Sequence, residues 1–156
     1  MIPYTLRPYT KDDFEFVYQA KKEAYQIYVE KFWGKWDEEK QRALFIDFIK
    51  KVQNSLVIID DKGTPIGLYH GDIIDSTTYE IGNIIIVPAY QGKGIGTDIL
   101  QNIIKKYPNF KMRLQVFKDN PAVNLYQRLG FAVINETRTH LIMERIMVKI
   151  FLSNTF

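Results

Sequence analysis

The stretch Ile84-Ile85-Ile86-Val87-Pro88-Ala89-Tyr90-Gln91-Gly92-Lys93-Gly94-Ile95-Gly96-Thr97 decides the architecture. A β-branched run stops at a proline, which cannot donate to a ladder. Glycines 92, 94 and 96 follow, and from there Ile95, Ile99, Leu100, Ile103, Ile104 and Tyr107 recur at helical spacing. The stretch therefore reads as a strand, a tight loop and an amphipathic helix over Gly92 to Tyr107. Glycines let backbone approach a ligand closely, and a helix N-terminus adds unpaired N–H groups and a positive dipole end. That is a cradle for a diphosphate. A Walker loop is excluded because Gly94, not Ser or Thr, follows Lys93. A dinucleotide fingerprint fails too: Thr97 stands where its third glycine belongs, and Lys111-Met112-Arg113 where its acidic residue belongs.

Working outward, Ser55–Asp60, Pro65–Ile73 and Thr78–Val87 read as successive strands, with Asp60-Asp61-Lys62-Gly63 and the region of Asp75-Ser76 as turns. Residues 111–117 form another strand. Asn120-Pro121 opens a helix with proline in its first turn, and Gly130 closes it. Residues 131–134 and 139–149 read as two last strands. Towards the N-terminus, residues 2–8 read as a short strand and Thr10 as an N-cap, with Asp12 and Asp13 in the first turn. Phe14, Val17, Tyr18, Ala24, Tyr25 and Tyr28 stripe a first helix. Leu44, Phe45, Phe48, Ile49 and Val52 stripe a second one beginning near Asp37-Glu38-Glu39. Between them lies an aromatic corner, Lys31-Phe32-Trp33-Gly34-Lys35-Trp36. No repeat or linker interrupts the chain, so residues 1–156 are expected to form a single α/β domain.

Composition removes much of the chemical menu. The 156 residues hold no cysteine, which excludes disulfides, a thiolate nucleophile and cysteine-based zinc. Two histidines, His70 and His140, cannot build a multi-histidine metal centre, so no metal is expected. No serine stands in a G-x-S-x-G elbow. The net charge of +3 is far from a nucleic-acid-coating surface. No apolar run reaches membrane-spanning length, and Met-Ile-Pro-Tyr-Thr-Leu-Arg-Pro lacks a signal-peptide layout. A cytoplasmic protein without nucleic-acid or membrane partners is expected.

Gln91-Gly92-Lys93-Gly94-Ile95-Gly96 has the form Q-x-x-G-x-G, and here the chain resembles the GNAT acetyltransferases, which use acetyl-CoA. Leu114-Gln115-Val116-Phe117-Lys118-Asp119-Asn120-Pro121-Ala122-Val123-Asn124-Leu125-Tyr126-Gln127-Arg128-Leu129-Gly130-Phe131 is similar to a second block of that family, ending in L-Y-x-x-x-G-F. The resemblance is carried by residues 78–131. It implies a mixed, mostly antiparallel central sheet with helices on both faces and a splayed V between two central strands. The pantetheine arm would pair with backbone near Ile84 and Ile86, the diphosphate would sit on the N–H groups of Gln91, Gly92, Lys93, Gly94, Ile95, Gly96 and Thr97, and Asn120 would help hold the cofactor. An acetyl group would pass directly to a primary amine of a small molecule or protein, with Tyr126 as general acid and a backbone N–H near Ile84 stabilising the oxyanion.

A lysine-type amine lies about 3.4 pH units from neutrality, whereas an α-amino group lies about one unit away, so a base matters most for the former. Glu80, eleven residues before Gln91, stands where the histone-acetyltransferase branch carries its glutamate. Gln115 occupies the place of the glutamate in ribosomal-protein N-terminal acetyltransferases, which argues against that branch. Trp33, Trp36 and His140 are candidates for the acceptor side, and the tryptophans equally suit a hydrophobic corner between helices. The apolar Ile150-Phe151-Leu152 would suit an edge contact, so monomer and homodimer both stay open. A CoA-binding regulatory module without turnover is the alternative, and an unrelated anion- or nucleotide-binding domain a more distant one.

Overall fold

The elements follow the hydrophobic periods closely. The computed structural model describes residues 2–51 and 54–146. The chain runs β1 (Tyr4–Pro8), α1 (Phe14–Trp33), α2 (Glu38–Lys51), β2 (Leu56–Asp60), β3 (Pro65–Ile73), β4 (Thr78–Ile86), α3 (Ile95–Lys106), β5 (Lys111–Phe117), α4 (Ala122–Arg128), β6 (Ala132–Glu136) and β7 (His140–Arg145). The strands form one seven-stranded sheet in the order β1-β2-β3-β4-β5-β7-β6. The pairs β1/β2, β2/β3, β5/β7 and β6/β7 are antiparallel. This is the mixed, mostly antiparallel architecture expected.

Several boundaries move for local reasons. The first helix runs through the expected aromatic corner as far as Trp33 and stops at Gly34, whose φ of 96° leaves helical space. Gly92, Lys93 and Gly94 stay in a turn, so α3 begins only at Ile95. Thr10 introduces a 3-10 turn, Lys11–Asp13, rather than α1 itself, and its N–H donates to the Asp13 carboxylate at 2.8 Å. β6 extends to Glu136, and β7 stops at Arg145. Val52, the end of the expected last strand and Ile150-Phe151-Leu152 lie outside the described residues.

The chain divides into two compact units, Met1–Asp72 with Ile81–Leu100, and Ile73–Glu80 with Gln101–Phe156. β4 is shared between them. Its first residues go with β5, where the Lys111 N–H donates to Thr77 O at 2.8 Å; its end goes with β3, where the Val87 N–H donates to Ile66 O at 2.9 Å.

In the first unit, Val17, Tyr18, Phe45, Val57 and Leu68 form a buried cluster joining α1 and α2 to one face of β2 and β3. Each such side chain withdrawn from water stabilises by about 1.5–3 kcal/mol. The first turn of α3 lies on the opposite face. Val57 and Ile59 point to α1 and α2, so Asp60 and its register partner Tyr4 point away from them, and Tyr4 bonds Asp98 of α3. Lys21 is a charged group set against this core. Its Nζ lies 4.4 Å from the Phe48 ring centroid and 5.2 Å from that of Phe45, and burial pushes its pKa down to about 8. A Cβ on Gly67 would collide with the Ile85 carbonyl oxygen, so only glycine lets β3 and β4 meet there.

In the second unit, Met112, Leu114 and Val116 alternate inward along β5. Tyr79 stacks on Tyr107 at 4.6 Å. Arg145 of β7 donates from Nε to Leu129 O at 3.0 Å, beside the left-handed Gly130 that ends α4.

Candidate functional site

The first unit contains a strand–turn–helix shaped by backbone. A 3-10 turn, Pro88–Tyr90, carries the chain off β4, and Gln91 folds back so that its Nε2 donates to Ile86 O at 2.7 Å. Gly92 and Gly94 have φ of 71° and 86°, values that side-chain-bearing residues rarely adopt. Apart from the adjoining residues, nothing lies within 4 Å of where a Cβ on either would sit, so the space over the loop is open. The helix starts with the Asp98 N–H donating to Gly94 O at 3.0 Å, which leaves the N–H groups of Ile95 to Thr97 without helical acceptors. Ile95 is buried and anchors the turn, while Gln91 to Gly94 are exposed. An open loop with left-handed glycines before a helix N-terminus suits a diphosphate.

Ile84 and Ile86 are half-buried on β4 and flank the buried Ile85. Their neighbour Asn83 accepts a hydrogen bond at Oδ1 from the Tyr25 hydroxyl of α1, at 3.3 Å. This tie escaped the sequence reading, because nothing in either local pattern marks residues 58 positions apart as partners. The two tryptophans part company. Trp36 packs against the core cluster and donates from Nε1 to Glu38 at 3.0 Å; Trp33 is 57% exposed, with its ring edge-on to Phe32. Glu38 is a well-held carboxylate. Lys22 at 2.8 Å, above all, brings its pKa down to about 2.

The second unit holds the other candidates. Tyr126 is buried on α4 with its ring edge-on to Phe131 at 6.0 Å, and burial pushes its pKa up to about 12. The phenol is therefore a proton holder throughout the neutral range. Asn120 spends its Oδ1 on the Ala122 N–H at 2.9 Å, tying down the first turn of α4. Glu80 is half-buried, in the part of β4 that goes with β5, and Gln115 is exposed on β5. His140 stacks on Phe117 at 4.3 Å, its Nδ1 lies 2.7 Å from Thr139 Oγ1, and burial lowers its pKa. The candidates thus fall into two groups: Ile84, Ile86, the loop and the tryptophans in the first unit, and Glu80, Asn120, Tyr126 and His140 in the second. Among the described residues no helix is long and apolar enough to cross a membrane.

Residues 15–131 match the model of a family described as the acetyltransferase (GNAT) family. An uncharacterized N-acetyltransferase of Methanocaldococcus jannaschii is 29% identical over 143 residues. That match covers 82% of this chain, and the chain spans only 60% of the relative's length. Among solved structures, the PaiA N-acetyltransferase of Thermoplasma acidophilum in complex with coenzyme A superposes with a TM-score of 0.69 at 22% identity, over 92% of this chain and 99% of that one. A spermidine N-acetyltransferase of Vibrio cholerae in complex with CoA and spermine gives 0.65 at 23% identity, over 92% and 95%. At such identities the likeness is one of fold.

Proposed function

The chain belongs to the acetyltransferase (GNAT) family, and from that premise we propose that it transfers an acetyl group from acetyl-CoA directly to a primary amine of a small molecule or protein. The observation that carries the reading is the open loop with left-handed Gly92 and Gly94 at the start of α3. Acetyl-CoA, when bound, supplies an acetyl group activated as a thioester. Residues 1–156 act in this reading as one acetyltransferase domain.

The roles divide by chemistry. The N–H groups of Gly92 to Thr97 hold the diphosphate, with the helix dipole favouring the anion. Backbone at Ile84 and Ile86 pairs with the amide-bearing arm, and Ile84 N–H polarises the acetyl carbonyl. Asn120, fixed by the Ala122 N–H, presents its remaining amide to the cofactor. Glu80 takes the proton that the acceptor amine must lose, directly or through water. Tyr126 keeps its proton at Oη and offers it to the leaving sulfur. With the phenol at about 12 and a free thiol near 8.5, hydrogen bonding to the sulfur is favoured over full transfer. Candidates for the acceptor side are, in the second unit, His140, whose pKa burial lowers, and, in the first unit, the exposed Trp33 with Trp36 packed on the core beside it.

The test is thermal stability with CoA, acetyl-CoA, ATP and NAD in parallel. A ligand specific for the folded state adds about 2.7 kcal/mol at a hundredfold excess over its Kd. Stabilisation by CoA and acetyl-CoA alone, followed by thioester consumption with amines, is expected. Binding without turnover for any amine would leave a CoA-binding module. A response to ATP or NAD instead would defeat the reading. Glu80→Gln should cost at least tenfold more rate with lysine-type amines than with α-amines near neutral pH; equal losses would remove Glu80 as base.

A further inference from the structure

Two tyrosine–aspartate hydrogen bonds bracket the glycine loop, and both spring from one cross-strand pair. Tyr4 of β1 lies opposite Asp60 of β2 in the antiparallel register. Tyr4 Oη donates to Asp98 Oδ2 at 2.6 Å, in the first turn of α3, just past the loop. Asp60 Oδ2 accepts from Tyr90 Oη at 2.9 Å, immediately before the loop. The pair therefore grips the stem on one side and the helix on the other.

The Asp60 grip is a firm one. The residue is 6% exposed, and its Oδ1 accepts the N–H groups of Lys62 and Thr64, both at 2.9 Å. The Thr64 amide above all, with Tyr90 and Lys62, holds the carboxyl below its usual range, and the same contact raises the Tyr90 phenol. Between the two grips runs a loop whose glycines at 92 and 94 would otherwise sample many conformations. An anion binding to a loose loop must order it first; a pinned loop presents its N–H groups already aligned.

We propose that Tyr4, Asp60, Tyr90 and Asp98 are positioning residues that preset the glycine loop and thereby set affinity for the diphosphate of CoA. The proposal rests on the acetyl-CoA reading. Its test removes single hydroxyls, in Tyr90→Phe, Tyr4→Phe and the double variant. Calorimetry gives dissociation constants for CoA and for pantetheine, which has the same arm without a diphosphate. Amide exchange across residues 91–97 in the free protein is the second readout.

Each single variant should weaken CoA about three- to tenfold, and the double variant more, as expected for losing one modest hydrogen bond at a time. Pantetheine should lose far less than CoA, and exchange at 91–97 should quicken. Parallel losses for both ligands would mean general destabilisation and would overturn the proposal. So would unaltered CoA affinity with unaltered exchange. If the double variant does not fold, Asp60→Asn replaces it, with a loss for CoA expected between wild type and the single variants. A wild-type protein that does not bind CoA would instead overturn the acetyl-CoA reading itself.

Discussion

In the proposed reading, the glycine loop and the Tyr126 helix would present chemistry by opposite means. Gln91 to Gly94 are exposed, use backbone groups and are held by hydrogen bonds at their ends. Tyr126 is buried, uses a side chain and is held by packing on Phe131. An anion-binding loop must keep its N–H groups uncovered, so it can only be fixed from its flanks. A proton holder gains from being covered, since burial keeps the phenol protonated. The loop should therefore be sensitive to backbone geometry and the tyrosine to loss of a single atom.

The widest break in that comparison comes from Tyr126→Phe, which keeps the packing and removes the proton. A loss in kcat of about a hundredfold is expected, at the low end for a general acid, with little change in the acetyl-CoA KM. Steady-state kinetics decides it, and full turnover would remove Tyr126 from the chemistry. At the loop the effect should fall on binding. Gly94→Val forces a branched side chain onto a φ of 86°, with a strain of about 1–3 kcal/mol, and should raise the acetyl-CoA KM about tenfold at nearly constant kcat. A loss in kcat with constant KM would reverse the roles given to the two regions.

Lys21 tests whether burial alone shifts protons in this fold. Its folded pKa of about 8 lies below the ordinary value of 10.5, so the unfolded chain binds the proton more tightly. That penalty on the folded state is complete below about pH 8 and fades as the pH rises towards 10.5. Lys21→Met should therefore stabilise by about 1 kcal/mol at pH 7, after allowing for the lost cation–π contacts. The gain should vanish near pH 10.5; denaturant unfolding at several pH values measures it. The smallest effect belongs to Trp33→Ala. Its ring is 57% exposed and outside the core cluster, so stability should change by less than about 0.5 kcal/mol. Any rise in acceptor KM would place it at the acceptor, whereas a fall in stability would place it in the fold.

Most of this architecture was legible because it depends on short-range patterns. The β-branched run ending at Pro88, the helical spacing from Ile95 and the turn at Gly130 each fix an element locally. The aromatic corner misled because Lys31-Phe32-Trp33 contains no helix breaker, and α1 runs on until Gly34 stops it. What could not be read were side-chain ties across long sequence separations. Tyr4 to Asp98 spans 94 positions and Asp60 to Tyr90 spans 30, and no periodicity encodes either. Asn120 stood out in the sequence only through the family resemblance, and its use as a tie to the Ala122 N–H depends on the turn that Pro121 imposes.

β1 is the edge of the sheet and only five residues long, and Tyr4 is its first residue. Edge strands fray from their ends, and such breathing is usually treated as harmless. An opening of β1 at Tyr4 would break its hydrogen bond to Asp98, which couples this short edge strand to a helix that starts ninety residues later. A disturbance of this edge strand at Tyr4 should therefore be read out in the first turn of α3, far from it in sequence.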